Sequence, residues 1–197
     1  MCGRYWLPTE DLPEEWLRLL DALGERTDIT AEAGRKTAGE IFPGDTVPVI
    51  ARSRRLVPTP FFMRWGFSER GRLLFNARSE TADEKPLFRE SAKARRCLMP
   101  AGHYFEWEHG PGNGKKTRYA IRPAEPGMLY LAGLYRFEGT LPVFTVLTRP
   151  PEESIAFIHD RMPLMLPASA RDAWLDDRYD LRELTGLAVR DVVYSKS

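Results

Sequence analysis

The chain has 197 residues, of which 43% are hydrophobic and 29% are charged, and its formal net charge at pH 7 is +1. This length supports one well-cored domain and is short for two, so we expect a single domain over residues 1–197. The small net charge excludes a global attraction to nucleic acid, so a site for a polyanion needs a local cluster of arginines.

No run of about 20 apolar residues occurs in the chain, and its start, MCGRYWLPTEDLPEEW, lacks the basic and apolar regions of a signal peptide. We therefore expect a cytoplasmic protein without a membrane partner. The two cysteines, Cys2 and Cys97, are too few for a disulfide framework. A reducing compartment would keep both as thiols, and either is then available for chemistry.

The first periodic segment, DLPEEWLRLLDALG at 11–24, predicts an amphipathic helix, because Trp16, Leu19 and Leu23 share one face. Pro13 suits the first turn of such a helix. Residues 25–45 are rich in glycine, threonine and charge, and they predict a surface loop.

Strands dominate the rest of the chain, since segments rich in β-branched and aromatic residues alternate with turn signals. The predicted strands are TVPVIAR, VPTPFFMRWGF, RLLFNARSE, RCLMPAGHYFEWE, TRYAIRP, MLYLAGLYRF and PVFTVLT. The predicted helical interruptions are KPLFRESAKARR, PEESIAFIH and ASARDAWLDD. This order predicts an α+β fold with a mostly antiparallel, barrel-like sheet and flanking helices.

The opening MCGRY places a cysteine directly after the initiator methionine. A small second residue permits removal of Met1, after which Cys2 would carry a thiol beside a free α-amine. The pKa of an α-amine is about 8, against about 10 for lysine, so much more of it is neutral and nucleophilic at pH 7. Such an aminothiol adds to an aldehyde as an imine and then closes to a five-membered thiazolidine. The implied substrate is an aldehyde.

Five separated motifs carry a resemblance to a known family: MCGRY at 1–5, MRWGF at 63–67, FNARSET at 75–81, RCLMPAGHYFEW at 96–107 and IHDRMP at 158–163. In this order they resemble the SRAP (SOS response-associated peptidase) family of abasic-site processing proteins, most strongly over residues 1–167. The resemblance implies an α+β fold around a barrel-like sheet. It also implies covalent capture of abasic sites in single-stranded DNA. We expect a monomeric, nucleoid-associated protein without a cofactor.

The resemblance further implies the roles of four catalytic residues. Cys2 is the nucleophile, Asn76 holds the sugar and the amino terminus, Glu106 takes the proton of the amine, and His159 passes protons near neutral pH. Strand alternation alone would leave Glu106 as a solvent-facing carboxylate opposite the face of Phe105.

For DNA contacts, the resemblance places Arg4 and Arg78 near the phosphates that flank the lesion, with Arg161 as a further candidate. Trp65, in MRWGF, is expected to stack or wedge at the DNA, and the alternative for this residue is a place in the core.

Three departures from the family pattern concern the fit of the substrate and the stability of the chain. The loop EIFPGD at 40–45 replaces a segment that commonly reads NVAPG, and His103 stands where a small residue is commoner. The chain also ends at RDVVYSKS, without the longer tail of many members. None of these departures removes a candidate catalytic residue.

Three other functions remain open at this point. Cys2, His159 and Asn76 would also suit a self-processing cysteine peptidase. A noncatalytic module for single-stranded DNA would bind without Cys2 and lose its affinity at high salt. A metal site would draw on Cys2, Cys97, His103, His109 and His159, but none of these pairs has the usual zinc spacing, so we expect no metal.

Overall fold

A computed structural model of the chain describes residues 2–8, 14–25, 34–109 and 116–197. Most of the regular structure within these ranges is β-strand. The strands are β1 (Arg4–Leu7), β2 (Gly39–Ile41), β3 (Thr46–Arg52), β4 (Pro58–Trp65), β5 (Phe67–Glu69), β6 (Arg72–Leu74), β7 (Asn76–Arg78), β8 (Arg96–Ala101), β9 (His103–Trp107), β10 (Arg118–Pro123), β11 (Leu129–Glu138), β12 (Leu141–Arg149), β13 (Met162–Pro163), β14 (Met165–Leu166) and β15 (Val192–Lys196). The α-helices are α1 (Glu14–Gly24), α2 (Pro86–Ala94), α3 (Arg171–Leu175) and α4 (Leu181–Thr185), and 3-10 turns span Glu153–Ile155 and Ala168–Ala170.

Five strands close into a barrel in the order β3, β4, β12, β11, β8 and back to β3. β12 runs parallel to β4 and β7, and every other pairing between strands of the described ranges is antiparallel. Long apolar runs form these strands, as expected where both faces of a sheet are covered. In β12, for example, the residues from Val143 to Thr148 are all buried. The predicted α+β fold with a barrel-like, mostly antiparallel sheet is confirmed.

A second sheet has the strand order β15, β10, β9, β1 and β2. Its central pairing joins the start of the chain to β9, with Arg4 opposite Phe105 and Tyr5 opposite Tyr104. Tyr5 and Tyr104 are buried, so this pairing is held by core packing as well as by the backbone ladder. It brings the amino-terminal segment to the strand that carries Glu106.

The helix predicted for 11–24 begins at Glu14 in the described ranges, and Pro13 lies outside them. Trp16, Leu19 and Leu23 are buried, which confirms the predicted apolar face. The prediction at KPLFRESAKARR is also confirmed by α2, whose first residue is Pro86. None of the helices formed by the described residues is long and apolar enough to cross a membrane.

Several predicted boundaries are wrong. The loop predicted for 25–45 contains β2, which adds to the edge of β1. The pattern predicts RLLFNARSE as one strand, but the segment forms two. Its first residues belong to β6, which pairs with β5, and its later residues form β7, which pairs with β12. PEESIAFIH forms only a 3-10 turn, and α4 and β15 have no counterpart in the prediction. These elements depend on pairings between distant segments, which local periodicity does not register.

Candidate functional site

Cys2 lies just before β1 and is fully buried. Its backbone carbonyl accepts a hydrogen bond of 2.8 Å from the side-chain amide Nδ2 of Asn76. Burial raises the pKa of the Cys2 thiol far above its usual range, and the negative charge of Glu106 raises it further. In the chain that begins at Met1, the thiol is therefore neutral at pH 7.

Asn76 is the first residue of β7, where the parallel pairing with β12 sets it opposite Val146. Its Nδ2 donates a hydrogen bond to the carbonyl of Cys2, whereas its buried Oδ1 has no hydrogen-bond partner among the described residues. A buried amide oxygen without a partner is costly in free energy. The Asn76 side chain therefore holds Cys2 with one atom and keeps an acceptor available beside it.

Glu106 lies in the middle of β9 and is buried. Alternation along the strand would send it to solvent, but β9 runs between β1 and β10, and Phe105, Glu106 and Tyr104 are all buried. The solvent-facing alternative is therefore wrong. Burial raises the pKa of this carboxyl group. A hydrogen bond of 3.3 Å, which Oε1 accepts from the backbone N–H of Trp107, lowers the pKa but does not cancel the effect of burial.

His159 follows the 3-10 turn and keeps only 10% of its side chain exposed. Its Nδ1 accepts a hydrogen bond of 3.0 Å from the backbone N–H of Arg161 and lies 2.7 Å from a carboxylate oxygen of Asp160. Burial lowers the pKa of His159 to about 4, and the nearby His109 acts in the same direction while Asp160 opposes it. At pH 7 the imidazole is therefore neutral and is a proton acceptor, whereas the sequence pointed to proton transfer near neutrality.

Within the ranges that the structure describes, one group of side chains has potential metal-ligand atoms close together. These are His109, His159 and Asp160, whose ligand atoms lie within 4.8 Å of one another. The rings of the two histidines are 3.9 Å apart between centroids. Of the residues in the sequence-based metal alternative, only the two histidines come together in this way.

A cleft of about 350 Å³ opens between β7, the end of β12 and the segment of His159. Its lining consists of Asn76, Ala77, Arg78, Thr148, His159, Asp160 and Arg161. Three of the predicted site residues thus meet in one cleft beside Asn76 and its partner Cys2. The sequence motifs did not predict Thr148 as part of the site, because it lies in none of them. They also did not single out Asp160, although it lies inside IHDRMP.

The three arginines predicted to contact DNA have different surroundings. Arg78 is exposed at the cleft. Arg161 is held by Glu80 through two hydrogen bonds of 2.6 and 2.8 Å, which lower the pKa of that carboxyl group. Arg4 lies 3.4 Å from Glu40, and its guanidinium stacks over the ring of Trp107 at 4.7 Å. Arg78 is therefore the arginine of the three with the most accessible charge.

The stacking role predicted for Trp65 is wrong, because this residue is fully buried. Its ring packs nearly parallel to that of Phe144 at 6.0 Å, and its Nε1 donates a hydrogen bond of 2.8 Å to the carbonyl of Phe75. A base has no access to this ring. The core alternative for Trp65 is the one that the fold adopts.

Two of the departures from the family pattern, the EIFPGD loop and His103, are accommodated locally. Glu40, at the start of EIFPGD, pairs with Arg118 at 3.0 Å as well as with Arg4. His103 stacks on the ring of Trp6 at 6.0 Å and packs edge-on against Phe105. The altered loop thus has its own charge pairing, and the larger side chain at 103 extends the surface of the second sheet.

The family described as SOS response associated peptidase (SRAP) matches the chain over residues 1–193. The abasic site processing protein YoaM of Bacillus subtilis is 32% identical over 128 residues, which cover 59% of this chain and 56% of that protein. YedK of Escherichia coli, also described as an abasic site processing protein, is 27% identical over 98% of this chain and 87% of its own. The matched region thus spans little more than half of the Bacillus relative.

A crystal structure of a protein from Bacteroides thetaiotaomicron has the same fold, with a TM-score of 0.75 over 99% of this chain and 91% of that one. The two sequences are 21% identical. At this identity the similarity shows the fold alone.

Proposed function

Because the chain belongs to the SOS response associated peptidase (SRAP) family, we propose that it processes abasic sites in single-stranded DNA by covalent capture through Cys2. Relatives of this chain carry the description of abasic site processing proteins. The ring-opened sugar of an abasic site presents an aldehyde, the electrophile that an amino-terminal cysteine captures. The capture shields the lesion during repair or replication.

The proposed chemistry needs Met1 to be removed and uses no oxidant or cofactor. The α-amine of Cys2 attacks the aldehyde carbon, and loss of one water molecule leaves an imine. The sulfur of Cys2 then adds to the imine carbon while the thiol proton passes to the nitrogen. The product is a thiazolidine in which both nitrogen and sulfur are bonded to the former aldehyde carbon.

The hydrogen bond from Asn76 to the carbonyl of Cys2 is the observation that supports this proposal most directly. It holds Cys2, which carries both reacting atoms, against a residue that lines the cleft, and the available Oδ1 of Asn76 suits an N–H of the amine. Glu106, whose pKa burial raises, is suited to exchange a proton with the amine. His159, neutral at pH 7, is suited to accept a proton from the sugar hydroxyl during ring opening.

A cysteine peptidase is less well supported by the same groups. A thiolate and imidazolium pair needs a low thiol pKa and a protonated histidine. Burial instead raises the pKa of Cys2 and lowers that of His159. Both shifts favour the neutral thiol and the neutral imidazole over the charged pair that a cysteine peptidase uses.

A denaturing gel tests the proposal. Purified protein, with loss of Met1 verified by intact mass, is incubated with single-stranded DNA that carries one abasic site, without borohydride. We expect a heat-stable shifted band with wild type, no such band with Cys2→Ala, and none with undamaged DNA. Absence of the band with correctly processed wild type would overturn covalent capture, and a band that persists in Cys2→Ala would overturn the thiazolidine.

A further inference from the structure

Three aromatic rings pack against one another outside the cleft. Tyr119, Phe157 and Tyr194 have centroid distances of 5.4 to 5.7 Å and meet edge to face. We call them the aromatic platform. Tyr119 is buried beneath the other two, whereas Phe157 keeps 47% and Tyr194 46% of its surface exposed. Two large rings are thus fixed by a third and still face solvent.

The platform adjoins the proposed catalytic groups. In the second sheet, Tyr119 is the cross-strand partner of Glu106 on one side and of Lys196 on the other. Cross-strand partners point to the same face of a sheet, so Glu106, Tyr119 and Lys196 form one row on one face. Phe157 precedes His159 by two residues. The platform therefore extends from the proposed site toward the edge strand β15.

The surroundings of the platform suit a nucleic acid. Lys196, at the end of the row, is exposed, and it follows Tyr194 by two residues on β15 and so shares its face. Single exposed apolar side chains are common on proteins. Exposed aromatic rings beside cations are typical of surfaces that bind single strands, because bases stack on the rings and phosphates approach the charges.

We infer that Phe157 and Tyr194 form a stacking surface for an unpaired base next to the abasic site, with Lys196 placed to contact the neighbouring phosphate. The inference rests on the proposed function. An abasic nucleotide has no base of its own, so a protein that holds it in a single strand must draw its stacking contacts from the adjacent nucleotides. The aromatic platform offers exposed rings for these stacking contacts, and it lies next to the row that contains Glu106. Trp65 offers no such contact, because it lies in the core.

The test uses single-stranded DNA with a tetrahydrofuran in place of the abasic sugar, since this analogue has no aldehyde and reports binding alone. Fluorescence anisotropy gives its affinity for wild type and for Phe157→Ala, Tyr194→Ala and their double variant. We expect the double variant to bind roughly 5- to 100-fold more weakly. Tyr194→Phe, which keeps a ring, should bind like wild type. Phe137→Ala is the matched control, because that ring is 57% exposed on β11, outside both the platform and the cleft.

A second DNA separates stacking from a structural role. In it the bases on both sides of the lesion are also replaced by tetrahydrofuran, so the phosphates remain but nothing can stack. Wild type should lose affinity for this DNA, whereas the double variant should bind both DNAs alike. Equal affinities of wild type and double variant for the first DNA would overturn the inference. If the double variant loses the same affinity on both DNAs, the inference is also overturned, because the two rings then have a structural role and do not stack on bases.

These experiments distinguish a failure of covalent capture from a failure of the aromatic platform. If wild type forms no heat-stable link with a true abasic site but shows the expected binding pattern, covalent capture fails and the platform stands. If wild type forms the link and the platform variants bind as it does, the platform fails and covalent capture stands.

Discussion

The side-chain amide of Asn76 donates a hydrogen bond to the backbone carbonyl of Cys2, a residue 74 positions earlier in the chain. The contact connects the first strand of the second sheet to β7, which is attached to the barrel through β12. Together with the pairing of β1 with β9, Asn76 therefore fixes where Cys2 lies relative to the cleft.

Asn76→Asp should slow link formation about 10- to 100-fold, because a carboxylate of the same shape cannot donate to the carbonyl of Cys2 and misplaces the reacting atoms. Loss of this hydrogen bond alone should cost only about 1 kcal/mol of stability. Single-turnover gel kinetics and thermal melting measure the two effects. Thr185→Ala, which loses an exposed hydrogen bond on α4, is the control. An unchanged rate in Asn76→Asp would remove Asn76 from the proposed mechanism.

Glu106→Gln should slow link formation about 100-fold, because the amide keeps the shape of the side chain but exchanges no proton. Since burial raises the pKa of Glu106, the wild-type rate should show an inflection above pH 4.5 that the variant lacks. The measurement is the rate of link formation across a pH series. Glu69→Gln, on the β5 and β6 hairpin, should leave both rate and profile intact. A variant that retains the inflection would assign it to another group.

The free energy of unfolding should fall as the pH drops from about 6.5 through 4, in part because of His159. The pKa of His159 is about 4 in the folded chain and about 6.5 when unfolded, so the unfolded state binds the proton first. The resulting stability is present above pH 6.5 and is lost at acidic pH, with a size on the order of 2–3 kcal/mol. Urea unfolding at pH 7 and 4.5 should show a smaller decrease for His159→Gln than for wild type. Equal decreases would mean that His159 titrates normally.

Trp65→Phe should destabilise the chain by about 1–3 kcal/mol, since it removes buried volume and the hydrogen bond to the carbonyl of Phe75. Its affinity for the tetrahydrofuran DNA, measured on folded protein, should equal that of wild type. Urea unfolding and anisotropy give the two quantities. A selective loss of DNA affinity at unchanged stability would restore the stacking role for this residue.

Arg78→Ala should weaken DNA binding and reduce the slope of log affinity against log salt by about 1, the effect expected of one phosphate contact. Anisotropy titrations at several salt concentrations measure the slope. Arg54→Ala removes an exposed arginine that lines a separate cavity on the β3 and β4 side of the barrel, and it should leave the slope unchanged. Equal slopes for wild type and Arg78→Ala would show that this arginine is not a phosphate contact.

The sequence predicted the barrel and the main helices because long apolar runs and a helical apolar face are local signals. Glu106 shows the limit of such local signals. Alternation along the strand predicts that its side chain faces solvent, but β9 lies between β1 and β10 and Glu106 is buried. For Trp65, the same residue type fits a core and a DNA surface, and only its packing on Phe144 decides between them. Phe157 and Tyr194 stand in no motif: the pairing of β10 with β15 brings Tyr194 beside Tyr119, and Phe157 packs on both rings from the segment before His159. Whether residues 1–197 act as one domain stays a prediction.

For the proposed capture, which needs Met1 to be removed, the burial of Cys2 also sets an order of events during synthesis of the chain. Removal of Met1 requires an aminopeptidase to reach a peptide bond beside a residue that is fully buried after folding. The strand after Cys2 obtains its partner β9 only when about 100 more residues have been made, which takes on the order of 5–20 s at ribosomal rates. During that interval the amino terminus is accessible on the nascent chain. Cys2 is enclosed only after β1 has paired with β9. The aminopeptidase therefore has a period before this pairing in which it can remove Met1 and free the amine of Cys2.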